Sequence, residues 1–299
     1  MASINRIVAI GDSFTLGLGT AKAFEDSQLA GHPEWEKWPE NTKKERRLYV
    51  NEFRRENSFP KFLADKFKEH TNEIVGFQNH GHSGCSNTHI INNIVRQNWE
   101  HTDLAVIGFT SSLRDPLPII PEVLKSTQNK GNFSWSFHEF VNTPNPYVHF
   151  APECEATPKL QEFWVNFVKN YHVKGDLLKY IREYNKVLVY FVQQFFEYHQ
   201  IRYIMFDAFE SMIHEPNKVP YIDQTYYWNI GEESCFSYCR DRGDEYLELP
   251  KVGREEHTGP RHPSRRGHIS FANQLFKFWQ GIQAYNEKEA KSKQRKTLI

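Results

Sequence analysis

Apolar residues follow two rhythms along this chain, and each predicts a different kind of element. Ile7-Val8-Ala9-Ile10 is an unbroken apolar run that stops at Gly11-Asp12-Ser13, the pattern of a strand buried on both faces that delivers a small turn at its C-terminal end. Further strands are predicted over Glu73–Gln78, Leu104–Gly108 and Ile201–Phe206. Elsewhere the apolar positions recur at threes and fours: Phe59, Phe62, Leu63 and Phe67; Leu177, Ile181, Tyr184, Leu188, Phe191 and Phe195; Phe271, Leu275, Phe278, Trp279 and Ile282. That spacing predicts helices over 58–67 and 176–199 and a last helix from His268, each with one face on the sheet. Shorter helices are expected over 14–24 and 159–171. Ser58 reads as an N-cap, with Pro60 in the first turn.

Strands alternating with helices predict a parallel sheet of about five strands, with right-handed crossovers and helices on both faces. The expected fold class is therefore α/β, a flavodoxin-like three-layer α/β/α sandwich. One domain over residues 1–285 is expected. Irregular insertions are placed at about 25–57, 116–158 and 212–253, where prolines and aromatics replace any period. Residues 286–299 read as a net-basic, solvated tail.

The 299 residues are enough for a substantial core. Lys+Arg 37 against Asp+Glu 37 give a formal net charge of +0, so no overall field gathers nucleic acid or an anionic membrane, and neither is expected as a partner. The first strand follows Met1 within a few residues, which leaves no space for an export signal. No apolar run approaches the ~18 residues of a membrane span. A cytoplasmic location is expected, or a virion-associated one if the chain is viral. Cys85, Cys154, Cys235 and Cys239 are scattered and read as reduced thiols, with Cys235 and Cys239 the one pair close enough to bridge. His80, His82, Cys85 and His89, and separately His257, His262 and His268, lack the regular spacing of a metal site. Gly17-x-Gly19 lacks the third glycine of a phosphate cradle. No metal and no cofactor are expected.

Two stretches carry candidate chemistry. Ser13 stands at a strand end and at a helix N-terminus, where amides and the dipole favour developing negative charge; a plain helix cap at Asp12 or Ser13 is the alternative. Far downstream, His262 precedes the last helix within His262-Pro263-Ser264-Arg265-Arg266-Gly267-His268. A serine after the first strand and a histidine before the last helix resembles the SGNH (GDSL-type) hydrolases, and the likeness runs the length of the chain block by block. Gly11-Asp12-Ser13-Phe14 is similar to the Gly-Asp-Ser-Leu signature, and Phe59-Pro60-Lys61-Phe62-Leu63-Ala64 to the helix that follows it. Asn79-x-x-x-Ser83-Gly84 resembles the second block. Where the third block has Gly-x-Asn-Asp, this chain has Gly108-Phe109-Thr110-Ser111, and where the last has Asp-x-x-His it has Gly259-Pro260-Arg261-His262. Phage-encoded members carry a similar Thr-Ser-x-x-Arg run, and the chain is closest to them in character.

The resemblance implies an SGNH fold and ester hydrolysis through an acyl-enzyme. Ser13 would be the nucleophile and His262 its base, with the amides of Ser13 and Gly84 and the hydroxyl of Thr110 as oxyanion donors, beside Asp12 and Ser111. With Gly259 in place of the acid, Glu256 is favoured to orient His262, ahead of Glu255, Asp207 or a backbone carbonyl. The implied substrate is a small-molecule or carbohydrate ester with a short acyl group, O-acetyl above all. Trp35, Trp38, Trp135, Tyr226, Tyr227 and Trp228 are the residues that would stack on sugar rings. The two replaced side chains keep a second reading open, an inactive SGNH fold serving as a binding or structural (virion) module.

Overall fold

A computed structural model describes residues 3–20, 34–83, 85–111, 176–209, 211–213, 216–247 and 262–297. Among them, four parallel strands form one sheet: β1 (Arg6–Gly11), β2 (Gly76–Gly81), β3 (Asp103–Phe109) and β4 (Arg202–Asp207), in the order β2-β1-β3-β4. The register sets Arg6 against both Gly76 and Asp103, and Leu104 against Arg202. The chain starts in the middle of the sheet, runs outward to β2 and then crosses to β3. The order thus reverses between β1 and β3, and a crevice opens at their carboxyl ends.

The helices among the described residues are α1 (Ser13–Leu16), α2 (Glu40–Glu56), α3 (Phe59–Thr71), α4 (Asn87–Arg96), α5 (Asp176–Tyr198), α6 (Cys235–Arg240) and α7 (Arg265–Thr297). Because side chains alternate along a strand, the sheet feeds two cores. Ile7, Ala9, Leu104, Val106, Ile204 and Phe206 pack under α3, α6 and α7. Val8, Ile10, Ala105, Ile107, Tyr203 and Met205 pack under α4 and α5. This is a three-layer α/β/α sandwich. At the amino end of the sheet, Arg6 forms a two-pronged pair with the fully buried Asp103, Nε and Nη2 donating to its two carboxylate oxygens at 2.8 and 2.7 Å. The pair clamps β1 to β3 at their first residues.

Several expectations shift. The strand expected over Glu73–Gln78 is displaced to Gly76–Gly81, where its ladder runs on to pair Gly81 with Gly11. The first helix is a single turn, because Gly17 takes a left-handed φ of 94° and ends it. The expected insertion at 25–57 holds α2, a helix of which only Val50 is buried. The expected tail continues α7 as far as Thr297. Ser58 does occupy the N-cap position of α3, but its hydroxyl donates to the Arg55 carbonyl instead. Residues 112–175, with the expected insertion at 116–158, the helix at 159–171 and Trp135, lie outside the described residues, as does Cys154. Cys85, Cys235 and Cys239 are buried. Among the described residues no helix is long and apolar enough to cross a membrane.

Candidate active site

Asp12 organises the turn after β1. It caps α1, its Oδ1 accepting the Phe14 amide at 2.9 Å, while its Oδ2 accepts the Thr110 hydroxyl at 2.8 Å. One buried carboxylate therefore shapes the serine turn and ties it to the end of β3. Ser13 follows, 3% exposed, with its Oγ 3.0 Å from His262 Nε2. Residues 249 positions apart meet at the crevice where the strand order reverses.

His262 is held by close packing. Its ring lies against that of Phe14, centroids 5.2 Å apart. Gly19, with φ of 91°, runs so near that an added Cβ would stand 2.7 Å from the Pro263 carbonyl and 3.0 Å from His262 Cβ. Any other residue at position 19 would push the histidine segment away. Glu255, Glu256 and Gly259 lie outside the described residues.

Asp207, the other acid considered for His262, serves elsewhere. It alternates with Tyr203 and Met205 onto the α4/α5 face, where its Oδ1 accepts the Tyr227 hydroxyl at 2.6 Å. His262 sits with Phe14 on the opposite face. That expectation is corrected by strand alternation itself.

Thr110 stands where the asparagine of the third block was sought, yet the donor role expected of its hydroxyl does not fit this geometry. A hydroxyl has one proton, and here it is given to Asp12. The Thr110 amide is also occupied, donating to Asn87 Oδ1 at 2.9 Å. Ser111 beside it is buried. Gly84 lies outside the described residues; His82, two positions before it, by its amide and Cys85, next after it, by its thiol both donate to the Gly11 carbonyl, at 3.0 and 3.5 Å.

Two asparagines do structural work around the site. Asn79 donates to the Thr15 carbonyl and to Ser58 Oγ and accepts the Gly81 amide, which locks α1, α3 and the end of β2 together. Asn87 accepts the Thr110 amide and donates to Asn185, fixing the end of β3. The sequence signal for Asn87 was slight, a polar residue one position after a serine cap; only its full burial explains it.

His268, grouped by sequence with His257 and His262, is a buried cap. Its Nδ1 accepts the Phe59 amide at 3.2 Å, supplying what Ser58 does not, and its ring stacks on Phe59. With Nδ1 accepting, the proton sits on Nε2, which is buried and directed toward the Leu18 backbone. Burial first, then the proximity of His262, lowers its pKa to about 3. Among the described residues no group of three metal-ligating side chains converges.

The sugar-stacking set also changes. Tyr227 and Trp228 are core residues, Tyr227 bonded to Asp207 and Trp228 packed on Tyr238 and Phe271. Tyr226 packs on Tyr203, and Trp38 lies under Arg46.

No protein-family model and no curated protein sequence matches the chain. Two solved structures are similar. One is the lipase Lip_vut3 from a goat rumen metagenome, at 13% identity over 91% of this chain and 96% of that one, with a TM-score of 0.40. The other is a putative lipolytic protein of the G-D-S-L family from Desulfitobacterium hafniense DCB-2, at 10% identity over 92% and 99%, with a TM-score of 0.28. At these TM-scores the likeness bears on neither the reaction nor the substrate.

Proposed function

We propose that the protein is an SGNH-type serine ester hydrolase that cleaves a short acyl ester, O-acetyl in the simplest case, through an acyl-enzyme. The observation that carries this reading is the 3.0 Å contact between Ser13 Oγ and His262 Nε2 at a helix N-terminus in the crevice. In the proposed reaction His262 Nε2 takes the proton of Ser13 Oγ as that oxygen bonds to the acyl carbon. The tetrahedral oxyanion is met by the amides of Ser13 and Gly84. His262 then gives its proton to the leaving alcohol, and in the second half it takes one from the water that attacks the acyl carbon and returns it to Ser13 Oγ as the acid is released. Glu256 is assigned the Nδ1–H of His262, a task that needs a carboxylate or carbonyl in reach. The depth of Ser13 favours a small acyl group. None of these steps requires a cofactor or a metal.

A second reading draws support from Thr110. With its hydroxyl turned to Asp12, the oxyanion has one side-chain donor fewer than the family pattern supplies, and a donor of that kind is worth roughly 3–4 kcal/mol elsewhere. An inactive binding or structural module is consistent with that loss. Labelling with a fluorophosphonate separates the two. Wild type should label, Ser13→Ala should not, and His262→Ala should label far more slowly. Folded wild type that fails to label defeats the hydrolase reading. Turnover of 4-nitrophenyl acetate against a long-chain 4-nitrophenyl ester tests the acyl group, and a long-chain preference would overturn it.

A further inference from the structure

Beside the serine turn, on the outer side of the edge strand β2, lies a recess of about 360 Å³. Its charged walls come from three elements: Arg55 at the end of α2, His80 and His82 at the end of β2, and His89 and Arg96 on α4. Among the described residues no carboxylate lines it. Glu52 is the acid facing it from α2, 3.8 Å from an Arg55 nitrogen and turned largely to solvent. The recess adjoins the serine turn, since His82 donates its amide to the Gly11 carbonyl and the Gly81 backbone abuts Leu16 of α1.

The five side chains are arranged, not merely present. Arg55 Nε is fixed on the Asn79 carbonyl at 3.1 Å, which holds the guanidinium at the recess. The rings of His82 and His89 lie close, tilted by 46° with centroids 5.4 Å apart. His80 and His89 are held below the ordinary imidazole value, chiefly by partial burial and then by neighbouring positive charge, from Arg55 and Arg6 on His80 and from His82 and Arg96 on His89. Two guanidinium groups and three imidazoles crowded in this way gain from an anion in their midst. A metal ion would instead meet two guanidinium charges.

Building on the ester hydrolase reading, we propose that this recess binds an anionic oxygen group, a carboxylate, sulfate or phosphate, carried by the ester substrate. Arg55 and Arg96 supply charge-assisted hydrogen bonds, and the imidazoles of His80, His82 and His89 add donors. The enzyme would then select an acidic ester over a neutral one, with the anion placed beside the serine turn so that the ester reaches Ser13.

Two measurements test this. In Ser13→Ala protein, titration with inorganic phosphate followed by imidazole NMR should raise the pKa of His89 and His80, and Arg55→Gln or Arg96→Gln should weaken phosphate binding by about tenfold. No phosphate-dependent change at His80, His82 and His89, or a change that both substitutions leave alone, overturns the proposal whether or not the protein is an esterase. In the Ser13-containing protein, kcat/KM is compared for 4-acetoxybenzoate and mono-4-nitrophenyl succinate, which carry the anion on the alcohol and acyl sides, against 4-nitrophenyl acetate. The ratio of acidic to neutral ester should drop about tenfold in Arg55→Gln for at least one acidic ester. Unchanged ratios for both, with phosphate binding weakened, would assign the recess to a free anion and refute its role in substrate selection. Failure to turn over all three esters would defeat the hydrolase reading, and the phosphate titration would still decide whether the recess is an anion site.

Discussion

Acidification should weaken the fold through His268 in particular. In the folded protein this imidazole is fully buried and stays neutral down to about pH 3, whereas its ordinary value is 6.5. Between those limits the unfolded chain binds a proton that the folded chain refuses, so stability is full above pH 6.5 and is lost as pH falls. The loss is ~1.4 kcal/mol per pH unit, or ~3 kcal/mol on going from pH 6.5 to pH 4.5. His268→Asn offers an amide oxygen to the Phe59 amide in place of Nδ1 but does not titrate. Whatever the substitution costs at neutral pH, that cost carries over to acid, while the protonation penalty disappears. Urea unfolding of wild type and variant at pH 7 and pH 4.5, followed by tryptophan fluorescence, should show the wild-type advantage shrinking by ~2–3 kcal/mol in acid. Parallel pH profiles would refute the reasoning, because they would mean that His268 takes up its proton in the fold at an ordinary pH.

Gly19→Ala forces a side chain into a left-handed backbone and against Pro263 and His262; we expect a loss of about 1–3 kcal/mol in stability and a fall in ester kcat out of proportion to it, read from Tm and initial rates. Arg6→Gln leaves the buried Asp103 without its ion pair and should cost about 3 kcal/mol in urea unfolding; a change within ~0.5 kcal/mol would show that the pair is solvated. Thr110→Val removes one hydrogen bond from the buried Asp12 and should destabilise by about 1–3 kcal/mol. The same variant should lose less than about tenfold in kcat, since a loss of 10²–10³ is the mark of an oxyanion donor and would show that the hydroxyl turns away from Asp12 during the reaction.

What could be read from sequence followed how strongly burial marks a segment. The runs of β1, β3 and β4 are apolar because both faces of the sheet are covered, so their places were legible to within a residue or two. The edge strand β2 reads Gly-Phe-Gln-Asn-His-Gly and has neighbours on one side only, which blurred its bounds. Helix α2 buries Val50 alone, too little for a stripe. The second half of α7 reads as a tail because it is polar, yet Glu287, Lys288, Glu289, Ala290 and Lys291 are all strong helix formers that continue a helix already nucleated on the core.

The candidate site divides along a similar line. Ser13 and His262 are picked out by their resemblance to the SGNH blocks, and the strongly patterned elements that they flank bring the two side chains together. The roles of Thr110, Asp207 and His268 were not, because each is decided by which partner lies within about 3 Å and on which face of the sheet. Asp12 is the telling case. A cap after a strand accounts for one of its oxygens, and nothing in Gly-Asp-Ser shows that the other reaches the end of β3. That second bond makes the replacement of asparagine by threonine intelligible. An amide at position 110 would offer two protons, enough for Asp12 and an oxyanion together, whereas a hydroxyl offers one. In this chain the single proton goes to the carboxylate that shapes the serine turn, so Thr110 serves the geometry of that turn.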